Sequence, residues 1–507
     1  MSKKIKISDL VVDKLVSNGI DTVFGVTGGA VVHFFDSISK NKKISSVFMN
    51  HEQAASFALE SYAKTKQSMG AGIFTTGPGS TNAITGLAAA WLDSIPTIFI
   101  SGQARSNLTI NGRKLRQIGT QEIDIVSIVK PITKYAVTIR DAKDVALEID
   151  KALYLANHER PGPVWIDIPV DISWSFIEKS KLSVFKNPHK KNYKDSIDKK
   201  LLKSLAKRFS LSKRPIILVG YGCRLSAAEK LLIKLIKKHK IPFLTSWNMC
   251  DFMDFNDSLN CGRPGISGQR GANLAIQNCD FLLCLGSHLN NSITGTLFSY
   301  FARNAEIAMV DIDPNELENV KIDLKYKIKS DVKVFLNYFE KYLKQLKYNH
   351  QNQSTIWHPN LKRYKALNNI GPNFKNQKKL VSSYYLKTLI SNYSSEDTIF
   401  VVDGGGTNVY SSYQSSLNKK KQKIILSTGL CSMGSGIPEA IGAHYADKEK
   451  DIYCFIGDGS LPFNMQELQL IKNFKLPIKI FVLNNSGYTS IKTTQTDWFL
   501  KCSIPFF

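Results

Sequence analysis

Two polar residues near the end of the chain follow two apolar stretches that are typical of buried strands. Asp458 stands between two glycines after the run DIYCFIG, and Asn485 ends the run PIKIFVLNN. The intervening NMQELQLIKNF predicts a helix, so the segment predicts a βαβ unit with two adjacent parallel strands. Both polar side chains would then project from the carboxyl ends of strands, where open α/β sheets bind ligands.

These residue types suit a magnesium ion that holds a diphosphate. Mg²⁺ takes few protein oxygens and completes its octahedron with phosphate oxygens and water, and glycines beside Asp458 would let the backbone approach a diphosphate closely. A bare GDG also fits an ordinary turn, and the further acids of a calcium-binding EF-hand loop are missing here. The double asparagine on the neighbouring strand is what favours the metal site.

Glu52 is the candidate acid in the first part of the chain. The stretch MNHEQAASFALESYAK predicts an amphipathic helix, with Asn50 as its N-cap and Gln53 closing a capping box. A glutamate in the first turn is favourable beside the helix dipole without any catalytic role. The residues alone leave both interpretations open.

Composition limits the class of protein. The chain has 507 residues, which predicts about three domains. No apolar run approaches the roughly 20 residues that cross a bilayer, and no apolar segment follows the basic start, so we expect a soluble cytoplasmic protein. Eight scattered cysteines without a CxxC pair indicate neither a zinc site nor a redox pair.

The net charge of +25 invites a nucleic-acid interpretation. The excess is lysine spread along the chain, without a nucleic-acid motif and without interleaved aromatic residues. A solvated, lysine-rich surface that attracts anionic substrates is therefore the preferred interpretation, with neither nucleic acid nor membrane as a partner.

Strand-like runs alternate with helical stretches, which predicts an α/β fold with parallel sheets. Two polar, lysine-rich stretches, 178–199 and 344–380, interrupt the alternation and predict linkers. In the middle block, RPIILVGYGC, DFLLCLGSHL and EIAMVDIDPNEL each predict a strand that runs into a turn. No full GxGxxG follows, so a nucleotide site and a purely structural Rossmann-like domain are both compatible with this block.

GDG followed by NN matches the thiamine-diphosphate (ThDP) binding motif, and the whole chain resembles the acetolactate synthase group of ThDP enzymes. The resemblance implies three doubly wound parallel-sheet domains: pyrimidine-binding (1–177), central (200–343) and diphosphate-binding (381–507), the last apparently truncated. It makes Asp458, Asn485 and the backbone oxygen of Gly487 the Mg²⁺ ligands.

The resemblance also implies the cofactor contacts. These lie in VTGGA, TTGPGSTN, DGGGTNVY, GLCSMGSGIPEAIGA and the GDG segment itself, and they are Gly28, Gly29, Thr76, Gly77, Pro78, Asn82, Gly405, Gly406, Thr407, Met433, Gly459 and Ser460. Met433 would be the wedge that bends the cofactor.

By the same resemblance, Glu52 exchanges a proton with the cofactor's pyrimidine ring, and Gln121 is an active-site glutamine. This exchange would favour the imino tautomer of the cofactor's 4′-amino group, and that imine would deprotonate the thiazolium C2. The resulting ylide would attack a 2-oxo acid such as pyruvate. The product after loss of CO₂ would be ligated to a second carbonyl compound. Glu52 and Asp458 would come from different subunits of a homodimer or homotetramer.

Four features differ from the family pattern. Val170 replaces a lysine, Thr494 replaces an acceptor-selecting tryptophan, GSHLNNSITG replaces a segment associated with FAD, and the chain ends soon after NN. The substrates and FAD therefore stay open. A decarboxylase that does not ligate, a flavin-linked oxidase, and an inactive truncated interaction subunit are the alternatives.

Overall fold

The computed structural model describes residues 4–186, 197–350, 355–377 and 379–499. The chain divides into two compact units. The first unit contains residues 1–190, 399–405 and 427–507, and the second contains residues 191–398 and 406–426. Parts of both predicted linkers, and residues 500–507 of the predicted last domain, lie outside the described residues.

The amino-terminal part of the first unit contains a six-stranded parallel sheet in the order β3-β2-β4-β5-β7-β6 and a small antiparallel pair, β1 and β8. The strands are β1 (Lys4–Lys6), β2 (Thr22–Gly25), β3 (Ser45–Phe48), β4 (Gly70–Phe74), β5 (Thr97–Gln103), β6 (Tyr135–Thr138), β7 (Val164–Pro169) and β8 (Phe176–Glu178). Every residue of β2, β4, β5 and β7 is buried, as expected for parallel strands covered by helices on both faces.

The helices of this part are α1 (Ile7–Ser17), α2 (Val32–Ser39), α3 (Glu52–Lys66), α4 (Pro78–Asn82), α5 (Ile84–Leu92), α6 (Ile125–Val129), α7 (Val145–Asn157) and α8 (Val170–Trp174). The sequence predicts α3 as an amphipathic helix, yet residues 54–65 are all buried. The helix itself is present, but its predicted amphipathic character is wrong, because α3 packs against helices on more than one side.

The second unit is built on a five-stranded parallel sheet in the order β10-β9-β11-β12-β13. Its strands are β9 (Pro215–Val219), β10 (Phe243–Thr245), β11 (Phe281–Leu285), β12 (Glu306–Asp311) and β13 (Tyr326–Lys329). Its helices are α9 (Lys199–Ser210), α10 (Gly222–Leu225), α11 (Glu229–His239), α12 (Arg270–Asn278), α13 (Asn291–Thr294), α14 (Pro314–Asn319), α15 (Val332–Gln345), α16 (Trp357–Lys365) and α17 (Ser383–Tyr393). The strands predicted in the middle block are confirmed.

The predicted linker 344–380 contains α16, whose Trp357 and Leu361 are buried in a hydrophobic core of the second unit. The domain boundaries themselves stay predictions.

The carboxyl-terminal part of the first unit contains a parallel strand pair. Strand β14 (Thr398–Val402) comes before this pair in the chain. Helix α18 (Gly406–Ser415) and strand β15 (Lys423–Leu426), which belong to the second unit, lie between β14 and the pair in sequence. After α19 (Gly436–Ala446) come β16 (Asp451–Gly457), the 3-10 turns Leu461–Phe463 and Met465–Glu467, α20 (Leu468–Asn473), β17 (Ile478–Leu483) and α21 (Thr489–Phe499). Strands β16 and β17 pair in parallel, which confirms the βαβ unit. The α/β class with several parallel sheets is confirmed.

None of the helices in the described ranges is both long and apolar enough to span a bilayer.

Candidate active site

The tips of β16 and β17 bring Asp458 and Asn485 together. Asp458 follows the last residue of β16, and its amide donates to the carbonyl oxygen of Leu483 at the end of β17 (3.2 Å). Its carboxylate accepts the amides of Gly459 (3.0 Å) and Gly487 (2.9 Å). The parallel pairing predicted from the sequence therefore places the acid beside the turn that carries the double asparagine.

Three oxygen-bearing groups converge at this point. One terminal atom of the Asn485 amide lies 3.2 Å from Oδ1 of Asp458 and 2.6 Å from the carbonyl oxygen of Gly487. If that atom is the amide nitrogen, it donates hydrogen bonds to both oxygens. If the amide is turned by 180°, the atom is an oxygen, and a cation must offset the repulsion among the three oxygens. Carboxylate, amide and backbone carbonyl are the donors that Mg²⁺ accepts, so these residues fit the ion.

The described residues contain no group of three or more His, Cys, Asp or Glu side chains that could hold a metal ion. A site with a single carboxylate suits an ion whose remaining ligands are phosphate oxygens and water.

Asp403, which none of the sequence motifs singles out as a site residue, organises the neighbouring loops of the first unit. It follows β14, is fully buried, and accepts the amides of Gly405 and Gly436 (both 3.1 Å). Burial raises the pKa of Asp403, and its hydrogen bonds act in the opposite direction. An acid directly after an apolar run is the same signal that reveals Asp458, and it could have found this residue.

Gly405 and Ser460 lie close together, since a Cβ on Gly405 would be 3.3 Å from Oγ of Ser460. Ser460 is buried, and Gly459 approaches the ring of Tyr488. Gly406 and Thr407 begin α18, which belongs to the second unit.

Met433 is partly exposed in the turn that precedes α19. The next residue, Gly434, has a φ of +81°, and a Cβ there would lie 2.4 Å from Phe463. Its carbonyl oxygen accepts the side chain of Asn464 (3.0 Å). The turn therefore requires glycine and is fixed against the segment that follows the GDG motif.

Glu52 is the first residue of α3 and is half-buried. Its Oε2 accepts the side-chain amide of Asn82 at 3.0 Å. A Cβ on Gly79 would lie 3.4 Å from Oε1 of Glu52, so α4, which begins at Pro78, lines the carboxyl group. The structure thus brings together Glu52 and the glycine-rich segment that the resemblance assigned to the cofactor.

The predicted N-cap of α3 is wrong. His51 is the cap, and its Nδ1 accepts the amide of Gln53 at 3.1 Å. Asn50 instead directs both its amide and its side chain to Glu467 and Gln466. A contact with residues far along the chain overrides the local capping preference here.

Gln121 is held in a left-handed conformation, with φ of +63°. Its carbonyl oxygen accepts the hydroxyl of Thr76 at 3.1 Å, and a Cβ on Gly77 would lie 2.6 Å from the same oxygen. Thr76 also donates to Gln103 (2.8 Å), whose amide donates to the buried Asp167 (3.2 Å). A buried polar network therefore supports the loop that carries Gln121.

The two remaining glycines differ in their surroundings. A Cβ on Gly28 would lie 2.5 Å from the side chain of Thr75, whereas a Cβ on Gly29 would have nothing within 4 Å. Gly28 is thus packed against the strand end that precedes Thr76, and Gly29 leaves open space.

The turn that follows β9 packs closely against the backbone at the end of β11. The amides of Gly220 and Gly222 donate to the carbonyl oxygens of Leu285 and Gly286 (both 2.9 Å). A Cβ on Gly220 would lie 2.2 Å from the oxygen of Gly286. The turn uses these glycines for close packing of strand ends and lends no support to a bound FAD.

Carboxylate, amide and carbonyl oxygens at two parallel strand tips, together with a half-buried glutamate at the start of α3, fit an α/β enzyme that binds a diphosphate cofactor. Three family models match the chain: the N-terminal TPP binding domain (5–128), the central domain (202–339) and the C-terminal TPP binding domain (403–504) of thiamine pyrophosphate enzymes.

Relatives extend along nearly the whole chain. Acetolactate synthase large subunits from Lactococcus lactis and Cyanidium caldarium are 30% and 32% identical. The alignments cover 98% and 96% of this chain and 84% and 82% of those proteins. The counterpart from Porphyra purpurea is 31% identical, over 95% of this chain and 80% of its own length. The chain belongs to the acetolactate synthase large-subunit family of thiamine pyrophosphate enzymes.

Proposed function

We propose that this chain, a ThDP-dependent enzyme, decarboxylates a 2-oxo acid such as pyruvate and ligates the product to a second carbonyl compound. The names of its relatives support the reaction class. The convergence of Asp458, Asn485 and Gly487 at two adjacent strand tips carries the proposal, because it supplies a Mg²⁺ ligand set where the fold binds diphosphates.

The cofactor, when bound, supplies a nucleophilic carbon and stores the electron pair released with CO₂. The residues of the chain prepare the site for it. Asp458, Asn485 and the carbonyl of Gly487 would hold Mg²⁺, and Glu52 would hold a proton at its carboxyl group. Asn82 orients Glu52 through the 3.0 Å hydrogen bond to Oε2, which would present the carboxyl group to a bound cofactor in a single orientation.

Calorimetry with ThDP, with and without Mg²⁺, tests the cofactor assignment. We expect saturable binding that requires Mg²⁺, followed by release of CO₂ and a ligated product when pyruvate and other 2-oxo acids are screened. Binding without any Mg²⁺ requirement would contradict the metal assignment. Release of CO₂ without a ligated product would support a simple decarboxylase, and a flavin spectrum would support an oxidase.

Two substitutions separate cofactor binding from turnover. Glu52→Gln should nearly abolish turnover while ThDP still binds, since the amide cannot exchange a proton in the same way. Glu316→Gln, in the first turn of α14, is the matched control, and it should leave both turnover and ThDP binding unchanged. Asp458→Ala should lose Mg²⁺-dependent ThDP binding, whereas Asp451→Asn, at the opposite end of β16, should keep it.

The proposal that Glu52 and Asp458 act across a dimer is tested by mixing the two inactive variants. Random reassociation gives hybrids in about half of the dimers, each with one intact site of two, so about a quarter of wild-type activity should return. If each site is built within one chain, mixing restores nothing.

A further inference from the structure

Glu467 connects the GDG segment to the helix that carries Glu52. It ends the 3-10 turn Met465–Glu467 and is fully buried. Its two carboxylate oxygens lie 3.0 and 3.2 Å from the backbone nitrogen of Asn50, which donates to them. The side chain of Asn50 also donates to the carbonyl oxygen of Gln466 at 3.0 Å.

The contacts lie immediately before α3. Asn50 is two residues before Glu52, and the intervening His51 caps the helix. One turn further back in the carboxyl-terminal segment, Asn464 donates to the side chain of Gln53 (3.4 Å) and to Gly434 (3.0 Å). The segment 464–467 therefore fixes the entry into α3 from the side of the GDG motif.

Stability alone does not explain a carboxyl group at this position. Burial raises the pKa of Glu467 to about 7, although the hydrogen bonds from the 50–51 segment lower it. Among the described residues, no Lys or Arg forms an ion pair with it. A buried carboxylate without a cation is costly, and local rules are commonly broken at functional sites.

We propose that Glu467 is a positioning residue for Glu52: it accepts the amide of Asn50 and thereby fixes the start of α3, while Asn82 fixes the carboxyl group of Glu52 from α4. The inference rests on the proposed function, in which Glu52 exchanges a proton with the cofactor. Displacements of about 0.5 Å are enough to weaken such a geometry.

The test compares wild type, Glu467→Gln and Glu467→Met. The glutamine keeps one oxygen for the amide of Asn50, and the methionine keeps none. We expect hydrogen exchange of the amides of residues 50–53, measured on the protein without cofactor, to increase in the order wild type, Gln, Met. We expect kcat to fall in the same order, by about tenfold or more in the methionine variant, while KM and the affinity for ThDP with Mg²⁺ change less than about threefold.

Asp331→Asn is the matched control. Asp331 also accepts two backbone amides at a helix start, but it lies in the second unit, and its substitution should leave exchange at residues 50–53 and kcat unchanged.

Several outcomes would overturn the proposal. Unchanged exchange in both variants would show that Glu467 does not hold the segment, and faster exchange with normal kcat would show that Glu52 does not depend on it. Equal losses of kcat and ThDP affinity would indicate a general structural role. If the methionine variant fails to fold, the glutamine variant still decides between these outcomes. A wild type that binds ThDP but has no turnover contradicts the proposed function instead, and exchange then still reports on the contact with Asn50.

Discussion

Substitution of Lys64 by methionine should destabilise the first unit strongly. Lys64 lies on α3 with 5% of its side chain exposed. Its Nζ is 2.7 Å from Oε1 of Glu60 and 2.6 Å from Oδ2 of Asp93. The other oxygen of Asp93 accepts the amide of Gly429 (3.0 Å), in the loop that leads to Met433. Methionine fills a similar volume but leaves the two buried carboxyl groups without their cation.

Removing one partner of a buried ion pair typically costs about 3–5 kcal/mol, because a buried charge loses its compensation. For a unit of this size that corresponds to a fall of about 5–9 °C in the thermal midpoint. Lys66→Met is the matched control. Lys66 is two residues away on α3 but pairs with Asp21 where both side chains are more exposed (28% and 53%), so its loss should cost no more than about 1 kcal/mol.

The cost should depend on pH. Burial raises the pKa of Glu60, and Lys64 opposes this shift while Asp93 adds to it. A raised pKa in the folded state means that the contribution of Glu60 to stability is full below the unfolded value of 4.5 and is lost as pH rises through the folded value. Without Lys64 the folded pKa rises further, so the deficit of the variant relative to wild type should grow with pH.

Thermal unfolding of wild type, Lys64→Met and Lys66→Met between pH 5 and pH 8 measures these differences. Equal midpoints for wild type and Lys64→Met at pH 8 would refute the reasoning. A deficit that shrinks as pH rises would show that the carboxyl groups are not what Lys64 compensates.

Two further predictions concern the loop that carries Gln121. Gly77→Ala should reduce kcat and stability together, because φ is +62° and a Cβ would lie 2.6 Å from the oxygen of Gln121; steady-state kinetics with thermal unfolding checks this, and an unchanged kcat would contradict it. As pH rises from 4 to 8, the free energy of unfolding of Asp167→Asn should increase relative to that of wild type by up to about 4 kcal/mol. Burial raises the pKa of Asp167 to about 7, so wild type loses this contribution as pH rises through 7, whereas the amide does not titrate. Denaturant unfolding at several pH values measures the difference, and a constant offset would contradict it.

The sequence predicted local structure well where one segment supplies all the information. The strands of the βαβ unit around Asp458, their parallel pairing, and the strands of the central block follow from apolar runs between turn residues. The sequence could not predict contacts between segments far apart. In the sequence, Glu467 is an ordinary glutamate in a helical stretch. Its role depends on the hydrogen bond from Asn50, which is 417 residues away in the chain.

Helix α3 shows the same limit. Its charged residues Glu60 and Lys64 suggest a solvated face, but the helix packs against α19, and Ser61 donates to the carbonyl oxygen of Glu439, 378 residues along the chain. Burial of that face is a property of the partner helix, which the pattern within α3 does not encode.

The sequence by itself determined the fold class and the family, and it singled out Asp458 and Asn485 as the proposed metal ligands, because apolar periodicity and the GDG and NN motifs are local. The tertiary structure alone decided how Asn82 orients Glu52, which residue caps α3, and how Asp403 and Glu467 are buried. Those features depend on side chains from distant segments meeting in a water-poor interior, where a hydrogen bond or a buried charge acquires its energetic weight.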